Sequence, residues 1–100
     1  MALVKIGKTS DLKPGEGKVV EVSGKVLALF NVGGKFFVID NTCKHRGGPL
    51  GEGFLDGNVV TCPLHGWQYD VCSGECVMPG EVKVDSYKVE VKGDEVFVDV

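Results

Sequence analysis

Lys25-Val26-Leu27-Ala28-Leu29-Phe30-Asn31-Val32-Gly33-Gly34-Lys35-Phe36-Phe37-Val38-Ile39-Asp40 decides the fold class. Two apolar runs rich in β-branched and aromatic residues flank a Gly-Gly pair, which accepts positive φ at both central positions of a tight turn. The spacing predicts strands over 25–30 and 35–40 joined as a hairpin. Upstream, 18–22 reads as another strand, separated by Ser23-Gly24, and 10–17 carries the turn residues of a surface loop with one short helical turn. Downstream, 86–92 and 95–100 alternate apolar and polar residues about Gly93-Asp94, a second hairpin. Short strands are expected at 58–61 and 67–71. With no helical stretch of usable length, no heptad and no repeat, the pattern predicts an all-β fold, a small antiparallel β-sandwich or barrel.

One hundred residues make one domain, 1–100, large enough to bury a modest core. A hydrophobic share of 43%, a charged share of 25% and fifteen glycines describe a soluble, loop-rich protein. A net charge of -3 disfavours nucleic-acid binding, which needs clustered and unbalanced Lys and Arg. The apolar run at Leu3-Val4 is broken by Lys5, so neither a signal peptide nor a membrane anchor is expected, and the expected address is cytoplasmic. Without an export signal, four cysteines read better as metal ligands than as a disulfide framework.

The chemistry is concentrated between Cys43 and Trp67. Cys43 and His45 stand one residue apart, and Cys62 and His65 two apart, each pair followed by small or rigid residues: Gly47, Gly48 and Pro49, then Gly66. Thiolates and imidazoles hold a zinc ion, a mononuclear iron or an iron-sulfur cluster. The single residue between Cys43 and His45 is shorter than the two to four usual in zinc knuckles, which disfavours zinc. No paired-carboxylate arrangement, nucleotide loop or flavin motif emerges, so the chain has no hydrolytic centre and cannot take hydride by itself.

Cys-x-His, sixteen residues and Cys-x-x-His, with Gly47, Pro63 and Gly66 in place, resembles a Rieske 2Fe-2S protein. Leu12 to Gly15, Leu29-Phe30-Asn31-Val32 and His45-Arg46-Gly47-Gly48-Pro49-Leu50 also resemble soluble Rieske-type ferredoxins and the small subunits of NAD(P)H nitrite reductases. The resemblance implies a three-sheet β domain with an inserted cluster-binding subdomain at about 41–80. It implies one 2Fe-2S cluster per chain, with Cys43 and Cys62 on one iron and His45 and His65 on the other. It further implies a one-electron carrier rather than an enzyme, taking electrons from a flavoprotein reductase and passing them to a terminal oxygenase of the ring-hydroxylating dioxygenase type. The alternatives are a nitrite reductase small subunit and a zinc-stabilised interaction module. Nucleic acid and membrane are not among the expected partners.

Two departures from respiratory Rieske proteins shape the expected potential. Where those carry a loop-bridging disulfide, this chain has Gly48 and Leu64, and Trp67 replaces a serine that serves the cluster sulfur. Fewer hydrogen bonds to sulfur place the potential toward the low end of the Rieske range, about -150 mV rather than +300 mV, while Tyr69, which matches a tyrosine that donates to a ligand sulfur, raises it. Leu50, Leu64, Trp67 and Pro79 are expected to form an apolar collar, and Met78-Pro79-Gly80 a third loop over the cluster. Lys44 and Arg46 flank His45, where they would steer an acidic docking patch. Cys72 and Cys76 read as thiols, as a local disulfide, or as partners of Cys43 and Cys62 in an all-cysteine cluster that would leave both histidines idle.

Overall fold

The computed structural model describes residues 3–44, 47–64 and 66–100. Eleven strands follow in order: β1 (Leu3–Lys8), β2 (Gly17–Val22), β3 (Lys25–Val32), β4 (Lys35–Asp40), β5 (Phe54–Asp56), β6 (Val59–Thr61), β7 (Gln68–Asp70), β8 (Cys76–Met78), β9 (Ser86–Tyr87), β10 (Val89–Lys92) and β11 (Glu95–Asp99). Among the described residues the only helical pieces are three-residue 3-10 turns at Thr9–Asp11 and Leu50–Glu52.

The strands form three antiparallel sheets, in the orders β1-β11-β10, β2-β3-β4-β9 and β5-β6-β7-β8. The middle sheet divides two cores. On β3, Leu27 and Leu29 pack with Val96 and Val98 of β11. Their neighbours Ala28 and Phe30 turn the other way and pack with Val60 of β6 and Tyr69 of β7. On β4, Phe36 and Val38 join the first core and Ile39 the second. A strand covered on both faces has no polar side to present, which is why 27–30 is continuously apolar where a half-buried strand would alternate.

The hairpin expected over 25–40 is present, with Val32 opposite Lys35 and φ of 59° and 97° at Gly33 and Gly34. The segment 86–92 departs from its reading as one strand. Ser86 and Tyr87 pair with Ile39 and Val38 of the middle sheet, whereas Val89–Lys92 pairs with β11 in the outer one. The chain changes sheets at Lys88, and a period-two pattern cannot register the change because both halves alternate in the same way. Three strands lie outside the sequence expectations. β1 pairs with β11 and so adds a third strand beside the C-terminal hairpin, while β5 and β8, three residues each, are too short for a periodicity to declare itself.

Double-sided burial of β3 has a direct test. Leu29→Ala and Phe30→Ala, adjacent in sequence, are each expected to lower unfolding free energy by about 2–5 kcal/mol in denaturant titrations. A half-exposed strand would instead leave one of the two within about 0.5 kcal/mol of the parent.

Candidate metal centre

The two cysteines of the constellation open two backbone rings with the same hydrogen-bond pattern. In the first, the Cys43 N–H donates to the Gly48 carbonyl at 3.0 Å and the Gly47 N–H donates back to the Cys43 carbonyl at 2.9 Å. In the second, the Cys62 N–H donates to the Trp67 carbonyl at 2.7 Å and the Gly66 N–H to the Cys62 carbonyl at 3.2 Å. Each ring therefore spans six residues, 43–48 and 62–67, and places a glycine fifth. Gly47 and Gly66 have φ of 71° and 80°, the left-handed conformation that lets the chain turn back on its cysteine. The unequal Cys-to-His spacing conceals this equivalence, and the shared Cys-x-x-x-Gly was the signal for it.

The second ring caps the β6–β7 hairpin. The first does not project from a hairpin end. It follows β4, closes through a bridge between Thr42 and Pro49, and runs into the 3-10 turn at Leu50–Glu52.

The fold brings the rings together. Cys43 and Cys62 are both buried, 2% and 3% exposed, in one apolar cluster with Leu50, Val60 and Tyr69. A Cβ on Gly48 would lie 2.5 Å from the Cys62 Sγ and 3.1 Å from the Leu64 Cγ, so the first ring packs directly on the second. Gly48 and Leu64, the positions matched to the respiratory disulfide, are thus neighbours joined by packing alone. His45, Arg46 and His65 lie outside the described residues.

Tyr69 supports the cysteine side of the site. Its hydroxyl is 3.4 Å from the Cys43 Sγ and accepts the Lys44 N–H at 3.0 Å. With the oxygen accepting from the backbone, the phenol proton is free to point at sulfur. Burial, and then the neighbouring Cys43 sulfur, push the Tyr69 phenol above its ordinary pKa, so it remains a proton donor through the physiological range.

The remaining expectations divide. Leu50 is fully buried in the core and takes no part in a collar, whereas Leu64 and Pro79 are exposed and Trp67 is partly buried against the same core. β8 ends at Met78, whose peptide bond to Pro79 is cis. Lys44 is exposed and lines a groove of about 550 Å³ beside Cys43, with Lys25, Asp40, Asp85 and Tyr87 on its walls. The Tyr87 hydroxyl donates to the Asp40 Oδ1 there at 2.7 Å. Cys72 and Cys76 are thiols, not a disulfide. Cys76 is buried in the core, while Cys72 is exposed and its N–H bonds the Asp70 carboxylate at 2.8 Å, so the pair does not supply two more ligands to one buried site.

Two buried soft donors, gathered on rings that keep backbone close, one of them with a phenol hydroxyl 3.4 Å away, suit a thiolate-bound iron centre. The family model described as Rieske [2Fe-2S] domain matches residues 2–88. The ferredoxin component of biphenyl 2,3-dioxygenase from Rhodococcus jostii is 39% identical over 101 residues, covering 100% of this chain and 94% of that one. A solved complex of reduced oxygenase and oxidized ferredoxin in carbazole 1,9a-dioxygenase contains a chain similar to this one with a TM-score of 0.89 and 39% identity, covering 96% of this chain and 100% of that one. The ferredoxin of carbazole 1,9a-dioxygenase from Nocardioides aromaticivorans superposes with a TM-score of 0.92 at 29% identity, over 98% of this chain and 97% of that one. With its three sheets, its paired cysteine rings and a match along most of its length, this chain belongs to the Rieske [2Fe-2S] domain family.

Proposed function

We propose that this chain is the ferredoxin of a ring-hydroxylating dioxygenase system, an electron carrier that accepts one electron from a flavoprotein reductase and delivers it to a terminal oxygenase. The observation that carries the reading is the pair of equivalent rings, each opening on a buried cysteine, in a chain that matches a dioxygenase ferredoxin component over its whole length. That match favours this setting over a nitrite reductase small subunit. The family's cofactor is a 2Fe-2S cluster, one per chain. When bound, it takes up and returns a single electron at a potential raised by replacing two anionic thiolates with neutral imidazoles. The ligands are Cys43 and Cys62 to one iron and His45 and His65 to the other. The chain forms one domain over 1–100, with about 41–80 as the cluster-binding subdomain, and works in the cytoplasm. Among the described residues no helix is long and apolar enough to cross a membrane.

The protein's own groups tune and present the centre. The Tyr69 phenol donates toward the Cys43 sulfur, and the Lys44 N–H, donating into the phenol oxygen, makes that phenol a better donor. A donor to sulfur favours the more negative, reduced state. Leu64 offers apolar surface on the second ring, and Lys44 with Arg46 supplies positive charge for meeting an acidic partner patch.

Two measurements follow. Mixed anaerobically with a flavoprotein reductase and NADH, the protein is expected to take up one electron per chain and pass it to a dioxygenase terminal component in stopped-flow traces. A protein that holds zinc and stays colourless would end the reading. Tyr69→Phe is expected to keep the cluster and lower its midpoint potential by roughly 40 mV, the one-electron equivalent of a hydrogen bond of about 1 kcal/mol. An unchanged potential would remove Tyr69 from the tuning groups.

A further inference from the structure

The first ring is held at a neck, and one side chain closes it. Asn41, at the end of β4, is only 7% exposed. Its Oδ1 accepts the buried Gly51 N–H at 2.7 Å, and its own carbonyl accepts the Leu50 N–H at 2.7 Å. Its N–H donates to the Val26 carbonyl of β3 at 3.2 Å. A single residue thereby ties the middle sheet to both residues that follow the ring, outside the Thr42–Pro49 bridge. The far side of the neck is fixed as well. A Cβ on Gly51 would lie 2.8 Å from the Lys18 carbonyl group of β2, so Gly51 sits against that strand with no room to move toward it.

We propose that Asn41 is a positioning residue for the metal centre: its side-chain carbonyl clamps the neck of the 43–48 ring to the middle sheet and so sets where Cys43 meets Tyr69 and the second ring. This rests on the reading of Cys43 as a ligand. Removing the acceptor leaves the buried Gly51 N–H without its partner, and the ring opens from the neck while the two cores stay packed. The requirement is for an acceptor at that place, because the Gly51 N–H bonds the side-chain oxygen.

Asn31 supplies a matched control. It is 4% exposed and makes the same kind of bonds at the other end of β3, its Nδ2 donating to the Leu12 carbonyl at 2.9 Å and its Oδ1 accepting the Gly34 N–H at 2.8 Å. Its hydrogen bonds go to Leu12, Gly15, Glu16 and Gly34, all outside the two rings. The test compares Asn41→Ala, Asn41→Asp and Asn31→Ala in the cluster-loaded protein by three readouts: iron transfer to a chelator, hydrogen exchange at the Gly51 amide, and the denaturant midpoint. Asn41→Ala is expected to lose iron about tenfold faster and to expose the Gly51 amide, the scale set by one lost buried hydrogen bond. Asn41→Asp keeps an acceptor but buries a carboxylate, so it is expected to protect the Gly51 amide as the parent does even where the added charge lowers the denaturant midpoint. Asn31→Ala is expected to lower the midpoint without hastening iron loss. Iron loss that tracks the midpoint in both alanine variants overturns the proposal, as does an Asn41→Asp protein whose Gly51 amide is as exposed as in Asn41→Ala. If Asn41→Ala does not fold, Asn41→Ser takes its place with the same expectation, since its shorter hydroxyl does not reach Gly51. A parent protein that binds no iron contradicts the ligand assignment, and the clamp is then still judged by the Gly51 amide.

Discussion

Burial of β3 and β4 on both faces is the constraint on which the rest of the structure depends. A sheet with one wet face needs one partner layer, but a sheet apolar on both sides needs two. The C-terminal hairpin with β1 supplies one cover, and the short β5–β8 sheet supplies the other. The second cover is small: its strands have three residues each, and such pieces hold together only against a core already present. Phe30, Ala28 and Ile39 provide that core, and Cys43, Cys62 and Tyr69 are built into the same cluster. The proposed metal centre is therefore seated on the middle sheet through side chains that are also structural.

This arrangement accounts for how two loops can hold a pair of thiols at fixed positions. Each ring closes on itself through its own backbone, so local geometry does not depend on the partner loop. What the tertiary structure adds is relative placement: Gly48 packs on Cys62 and Leu64, the neck of the first ring is tied to β2 and β3, and the second ring is carried by the β6–β7 hairpin. Without a disulfide between the loops, packing and the Asn41 neck carry that load. In the proposed function Tyr69 links stability to redox tuning, because the same buried ring fills the core and sets its hydroxyl 3.4 Å from the Cys43 sulfur.

Much of this was readable from residues. The Gly33-Gly34 turn and the apolar runs around it announced the central hairpin, since a tight turn and a buried strand have strong local signatures. The two cysteines pointed to the pair of rings because few side chains bind soft metals, while His45 and His65 lie outside the described residues. Other features depend on contacts between residues far apart in sequence. Nothing in Ser86 to Lys92 marks the sheet change at Lys88, since pairing with β4 or with β11 asks for the same alternation. Leu50 reads as part of an apolar collar, yet the 3-10 turn after the Thr42–Pro49 bridge folds it fully into the core. Asn41 drew no notice in sequence, where an Asn beside a strand end reads as an ordinary turn residue, and only its bond to an amide ten residues on reveals its place in the site.

The central claim is that two cysteines and two histidines hold a binuclear iron centre, divided by residue type between the irons. Electron-nuclear double resonance on the reduced protein, with histidine labelled in nitrogen-15, reads that division directly. The account predicts two strongly coupled histidine nitrogens, both lost from the spectrum's labelled set when His45 and His65 are replaced, and two irons with two labile sulfides in the same sample. A reduced iron-sulfur signal with no coupling to histidine nitrogen would contradict it.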